Sequence, residues 1–184
     1  MKQFLIIALF VVGAASIHAD EAAVQPGDTA FQLALIPDIA IHPRTTTIRA
    51  FSLGIWGENP QHGLTLGFVN GSTGESSGFS WALIGNYANS YHGVQWGFIN
   101  ISSDKFFGWQ DGLVNYSKGT FEGLQSGFVN YSVDMTGLQL GVFNYAETLH
   151  GVQVGLVNVA RNNPWFSECP DKLATGFPFF NWSF

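Results

Sequence analysis

Three of the five histidines, the one cysteine, a scatter of acids and a run of asparagines are the residues whose types and spacing could do chemistry. His62, His92 and His150 each directly precede a glycine that recurs along the chain. Such a set could ligate a metal, but its spacing matches no recognised ligand motif, and turn-adjacent rim histidines are the simpler reading. Cys169 could be a nucleophile, yet no His–Asp framework supports it. As the one cysteine in the chain, it also excludes an internal disulfide framework. Glu75, Asp104, Glu122, Asp134 and Glu147 offer no pair placed for acid–base work. Asn70, Asn100, Asn115, Asn130 and Asn181 each begin an Asn-x-Ser pattern, which would normally suggest glycosylation. Here the repeat itself generates the pattern, so the asparagines read as structural. No catalytic residue, metal site or cofactor is expected.

The elements that carry these residues are copies of one phrase, Gly-Φ-Gln-Φ-Gly-Φ-Φ-Asn, with Φ apolar. It stands most plainly at Gly137–Asn144 and Gly151–Asn158. Copies begin at Gly63, Gly78, Gly93, Gly108, Gly123, Gly137 and Gly151, at four intervals of 15 residues and then two of 14. A fixed period of this kind fixes the architecture. The phrase residues expected to be structural are Gly63, Gly93, Gly123, Gly137, Gly141, Gly151 and Gly155, with Gln95, Gln125, Gln139 and Gln153. Asn100, Asn115, Asn130, Asn144 and Asn158 complete that set. Apolar residues at the second, fourth and sixth places give period two, the pattern of a strand with one apolar face. Gly71–Gly74, Ser102–Asp104 and Ser117–Gly119 supply turn chemistry between units. The unit at Gly78 departs from the phrase, with Ala82 for the second glycine and one extra residue before Asn86, where a bulge is expected.

Around the repeats, residues 1–19 read as a secretory signal: Lys2, an apolar run from Phe4 to Val12, then small residues up to Ala19. Residues 20–30 form a flexible lead-in. A single β-repeat domain fills residues 31–184, with repeats from 50 to 160, a Pro-containing loop from Arg161 to Ala174 and a last strand at 176–184. Of the 184 residues, 46% are hydrophobic and 11% charged, with a net charge of −6. No basic patch forms, which excludes a nucleic-acid partner.

Two all-β architectures suit such a repeat. The first is an antiparallel meander of about ten strands closing into an outer-membrane-type β-barrel, with Gln lining the interior. An even strand count and the ending Phe180, Trp182 and Phe184, which resembles the C-terminal insertion signal of such barrels, favour it. The alternative is a β-solenoid with 14–15-residue coils, in which equivalent asparagines stack as a ladder and the Gln/Gly face is solvated or binds a ligand. Against the barrel, the apolar stripe is short, and Asp111 and Ser126 interrupt it. The barrel is the leading expectation.

From Phe31 to Phe184 the chain resembles an uncharacterised family of bacterial surface-repeat proteins, known from spirochaetes and other Gram-negative-type bacteria. Gly-Leu-Gln-x-Gly-Leu-Val-Asn units, the lead-in Thr46–Gly57 and the ending Phe177–Phe184 carry the resemblance. It implies a surface location. The expected function is a non-enzymatic outer-membrane or surface-displayed protein with a structural or interaction role. Its partners would be the outer-membrane bilayer and its insertion machinery, with a surface protein or glycan as a further possibility. The alternative is a surface or periplasmic solenoid adhesin that binds through its Gln/Gly face.

Overall fold

A computed structural model describes residues 27–184. The expected leader and most of the lead-in lie outside the described residues. β1 (Asp28–Ile36), β2 (Ile39–Ala40) and β3 (Thr47–Asn59) open the domain, with Pro37 in the turn between the first two. β4 (His62–Ser102) and β5 (Lys105–Ala160) follow, and β6 (Gly176–Ser183) ends it.

β4 and β5 are too long to be straight strands, because they wind. Gly93 lies opposite Gly108, Gln95 opposite Gln110 and Asn100 opposite Asn115, in parallel register. β3 pairs with β4, and β1 with β3, in the same parallel sense. The result is a β-solenoid of about six turns. The barrel expectation is thereby overturned. A meander needs neighbouring units to run antiparallel, whereas each unit here returns to its starting side before the next begins. Counting strands as if every turn reversed the chain led to the even number that favoured the barrel.

Within the coil from Gly93 to Phe107 the side chains follow a fixed order. Burial alternates along one arm, so that Gln95 points in while Val94 and Trp96 point out. Period two breaks at Phe98–Ile99, two successive outward residues that turn the first corner. Asn100 and Ser102 then point in along a second arm, and Ser103–Lys105 turn the second, polar corner. Phe106 points in and begins the next coil. Four inward columns therefore fill the interior: Gln, Asn, a small residue (Ala88, Ser102, Ser117, Ser132, Ala146), and the large apolar series Tyr91, Phe106, Phe121, Met135 and Leu149. Phe106 and Phe121 stack with centroids 5.0 Å apart.

Glycine is required where coils approach most closely. Gly108 has φ +136°, and a Cβ there would overlap the carbonyl of Gly93 in the coil before. A Cβ on Gly112 would lie 2.8 Å from Nδ2 of Asn100, in space the amide already fills. The extra residue before Asn86 is absorbed at the first corner, where Leu83 and Ile84 point outward, Gly85 follows and Asn86 keeps its inward place.

The C-terminal end is closed by a strand and the N-terminal edge is covered in part, which blunts edges that would template further pairing. β6 runs antiparallel to the last coil, with Val152 opposite Trp182 and Val154 opposite Phe180. The Arg161–Ala174 loop folds back over β6: Leu173 N–H donates to Trp182 O at 3.1 Å, and Phe184 N–H to Asp171 O at 3.1 Å. The residues expected to signal barrel insertion thus lie in a capping strand, where Trp182 Nε1 donates to Pro170 O at 2.7 Å. At the other end β2 pairs with β1. Near it, Tyr87 crosses over Gly71, where any side chain would collide with the ring, and donates its hydroxyl to Glu58. Trp56 Nε1 donates to the same hydroxyl at 2.9 Å. Burial first, then the bond to Glu58, pushes the Tyr87 phenol well above its ordinary range, so it stays neutral. Tyr87→Phe is expected to destabilise the protein by about 1–3 kcal/mol, because two partly buried partners lose their bond. Urea unfolding followed by Trp fluorescence would measure it, and an unchanged midpoint would remove this crossover as a stabilising element.

Candidate functional site

The phrase residues are brought together as two amide ladders. In the first, each asparagine donates Nδ2 to Oδ1 of the next: Asn70 to Asn86 at 3.2 Å, Asn86 to Asn100 at 2.8 Å and Asn100 to Asn115 at 2.9 Å. Asn115, Asn130 and Asn144 continue it to Asn158, each at 2.8 Å. Except at Asn86, the second amide hydrogen goes to a backbone carbonyl of the following coil, as from Asn115 to Ser126 O at 2.8 Å. In the second ladder the donors face the other way. Gln110 donates to Gln95 at 3.0 Å, Gln125 to Gln110 at 3.2 Å, Gln139 to Gln125 at 2.8 Å and Gln153 to Gln139 at 2.7 Å. Its ends are left as this direction requires, with Nε2 of Gln95 and Oε1 of Gln153 unpaired. The side-chain dipoles of the two ladders therefore oppose each other.

Every glutamine from Gln95 to Gln153 in this column is 0% exposed. The solenoid alternative expected the Gln/Gly face to be solvated or to bind a ligand, and that is corrected; an interior Gln face was expected only of the barrel. That face is the interior, because parallel in-register stacking lets identical amides satisfy one another at the coil repeat. The Asn-x-Ser asparagines are equally buried, so they are not exposed as glycosylation acceptors.

The residues singled out for chemistry are not brought together. His62 and His92 lie in one column but two coils apart, about 10 Å at the spacing of paired strands. His62 Nδ1 hydrogen-bonds Ser77 Oγ at 2.9 Å, and His92 packs edge-on against Phe107 at 4.7 Å. His150 is farther still along the same column. Among the described residues, no group of three His, Cys, Asp or Glu is placed to hold a metal ion. Cys169 is exposed in the capping loop. Tyr91 keeps its hydroxyl buried and unpartnered, and burial pushes that phenol well above its ordinary range.

What faces solvent is the apolar set. Phe98 is 58% exposed, Leu113 52%, Leu83 45% and Phe128 48%, all at the first corner. Trp81 and Trp96 lie outward on one arm, with Trp96 and Trp109 near-parallel at 28° and 6.2 Å. On the other arm Tyr116, Tyr131 and Tyr145 stack at 4.7 and 5.1 Å. Tyr131 donates to Glu147 at 3.2 Å, and desolvation, then Glu147, hold its phenol above the ordinary value. A shallow trough of about 440 Å³ lies between Trp81 and Trp96 on one side and Leu83, Phe98, Leu113 and Phe128 on the other, floored by Gly97 and Gly112. The one charge on this side is Asp111, whose Oδ1 accepts the Ser126 hydroxyl, while Trp109 Nε1 donates to the same Ser126 oxygen at 2.8 Å. The barrel reading turned the apolar stripe outward, but sequence reasoning missed the corner that doubles it. Its signal was the doubled Φ-Φ before each asparagine, where period two breaks.

Parallel coils, paired amide ladders and a capped C-terminal end define a β-solenoid repeat protein. The chain matches no protein-family model, no curated protein and no solved structure.

Proposed function

We propose that this protein is a non-enzymatic β-solenoid with a structural or interaction role, exported and displayed at the cell surface, and that its outward apolar–aromatic face is the working surface. The observation that carries this reading is the inversion of the coil: amides are spent inside, and large apolar side chains are spread over neighbouring coils outside. Contiguous exposed apolar surface of this kind marks an interaction site rather than a solvated face. An exported location is supported by the leader-like residues 1–19 and by the resemblance to surface-repeat proteins. The sequence-based adhesin reading keeps its fold and changes its face.

The test is retention in the cell-envelope fraction. Phe128→Asp replaces a half-exposed side chain that also packs on Phe143, so stability should fall by about 1–2 kcal/mol, and circular dichroism checks that the variant is folded. Retention should fall several-fold relative to wild type. Equal retention of the two proteins would remove the outer face as the working surface.

A further inference from the structure

We propose that the apolar edge of the solenoid inserts into the surface of a lipid bilayer, with the long axis lying in the membrane plane. The inference rests on the outer face being the working surface and names its partner. The first corner of each coil stacks into one edge, and from Phe68 to Leu156 it runs about 30 Å at the rise of paired strands. Flanking it are residues that favour the membrane–water boundary: Trp81 and Trp96 on one arm, the stacked tyrosines on the other. The Tyr131 hydroxyl turns toward Glu147, on the polar side.

Charge is segregated in the same sense. Between Gly63 and Arg161 the chain has nine acidic or basic residues, and eight of them lie at or next to the polar corner. Asp111 is the exception. It stands two residues behind the apolar edge, roughly 7 Å along the strand, and hydrogen-bonds Ser126. Interfacial elements bury their apolar side by about 5–10 Å, so the edge reaches hydrocarbon while Asp111 lies at headgroup level. The parallel ladders pair backbone N–H and C=O groups between coils along both arms, with a gap in the pairing at the bend itself, where Gly97–Phe98 face Gly112–Leu113. The edge is convex, because two successive side chains splay outward at each bend. A second copy would present the same convex edge and meet it along a line, whereas fluid acyl chains can cover both flanks. With a net charge of −6, attraction to anionic headgroups is not the driving force.

Flotation of the full chain with zwitterionic phosphatidylcholine vesicles tests this. Wild type should float equally at low and high salt, and brominated phosphatidylcholine should quench its Trp fluorescence. The double variant F98E/L113E should float at least about tenfold less, while K118E at the polar corner should float like wild type. All variants share the same N-terminal segment, so its contribution is common to them. Circular dichroism and the urea midpoint confirm that each is folded. If F98E/L113E floats and is quenched like wild type, the edge is not the inserting element. If wild type does not float although envelope retention still depends on Phe128, lipid is the wrong partner, and a protein or second copy takes its place. If neither dependence appears, this inference and the reading beneath it both fail.

Discussion

Gly108→Ala is expected to lower the stability of the protein by about 2–6 kcal/mol. Its φ of +136° lies where a residue with a Cβ is strained, at a cost of about 1–3 kcal/mol. The new methyl group would also meet the backbone carbonyl of Gly93, and Gly93 is itself stacked against Gly78 in the same way. No flexible side chain can move aside, so an overpacking cost of about 1–3 kcal/mol adds to the strain. Relief would require the coils to separate, which would stretch the Gln110–Gln95 bond of 3.0 Å two residues further on. Urea unfolding followed by Trp fluorescence would measure the loss, with Thr120→Ala in the same coil as a control. A loss below about 1 kcal/mol would show that the coils do not stack as closely as described.

Asn115→Asp is expected to be comparably damaging, and its damage should depend on pH. Asn115 accepts from Asn100 at 2.9 Å and donates to Asn130 and to Ser126 O, each at 2.8 Å, while fully buried. A carboxylate keeps the acceptor role but turns both donations into oxygen facing oxygen. Each buried group left unpaired costs about 1–3 kcal/mol. Burial and the two facing acceptors favour the protonated form, so the folded-state pKa of the new acid is raised above the ordinary ~3.9. The folded state then binds more protons than the unfolded state. The variant is therefore most stable below about pH 4 and loses about 1.4 kcal/mol per pH unit as pH rises toward its folded-state pKa. Wild type has no titrating group at this position and should lack that slope. Asn115→Leu removes the amide without adding an acid, so it should be destabilised without a matching pH dependence. If the Asp and Leu variants show the same pH profile, Asn115 is not held in a dry ladder.

The two substitutions probe different links of one chain of cause. Glycine at the coil start lets the backbones approach, and that approach brings equivalent amides within bonding distance. The ladders then replace the apolar core that so narrow a coil cannot hold. Only one inward column, Tyr91 through Leu149, is both large and apolar.

Much of this was legible in the sequence. The intervals of 15 and 14 residues gave the coil length, and the recurring asparagine gave the ladder, although the ladder belonged to the less favoured of two architectures. The slip before Asn86 was visible as an extra residue, and it sits at a corner that tolerates it. The capping position of Phe180, Trp182 and Phe184 was not legible, because a terminal aromatic alternation looks the same whether the strand closes a barrel or covers the end of a coil.

What the sequence determined by itself was the repeat, its strand character and the two alternating sets of residues. It could not say which set lies inside. Period two divides a strand into faces without assigning either to the interior: the barrel reading put the Gln face inside, and the solenoid reading put it in solvent. Only the tertiary structure decided that neighbouring coils run parallel and in register. That arrangement places each Gln beside a Gln and each Asn beside an Asn, where identical amides can donate and accept in turn. Once the amides are satisfied in that way, two of the four inward columns are amides, and Phe98, Leu113 and Phe128 are left on the outside.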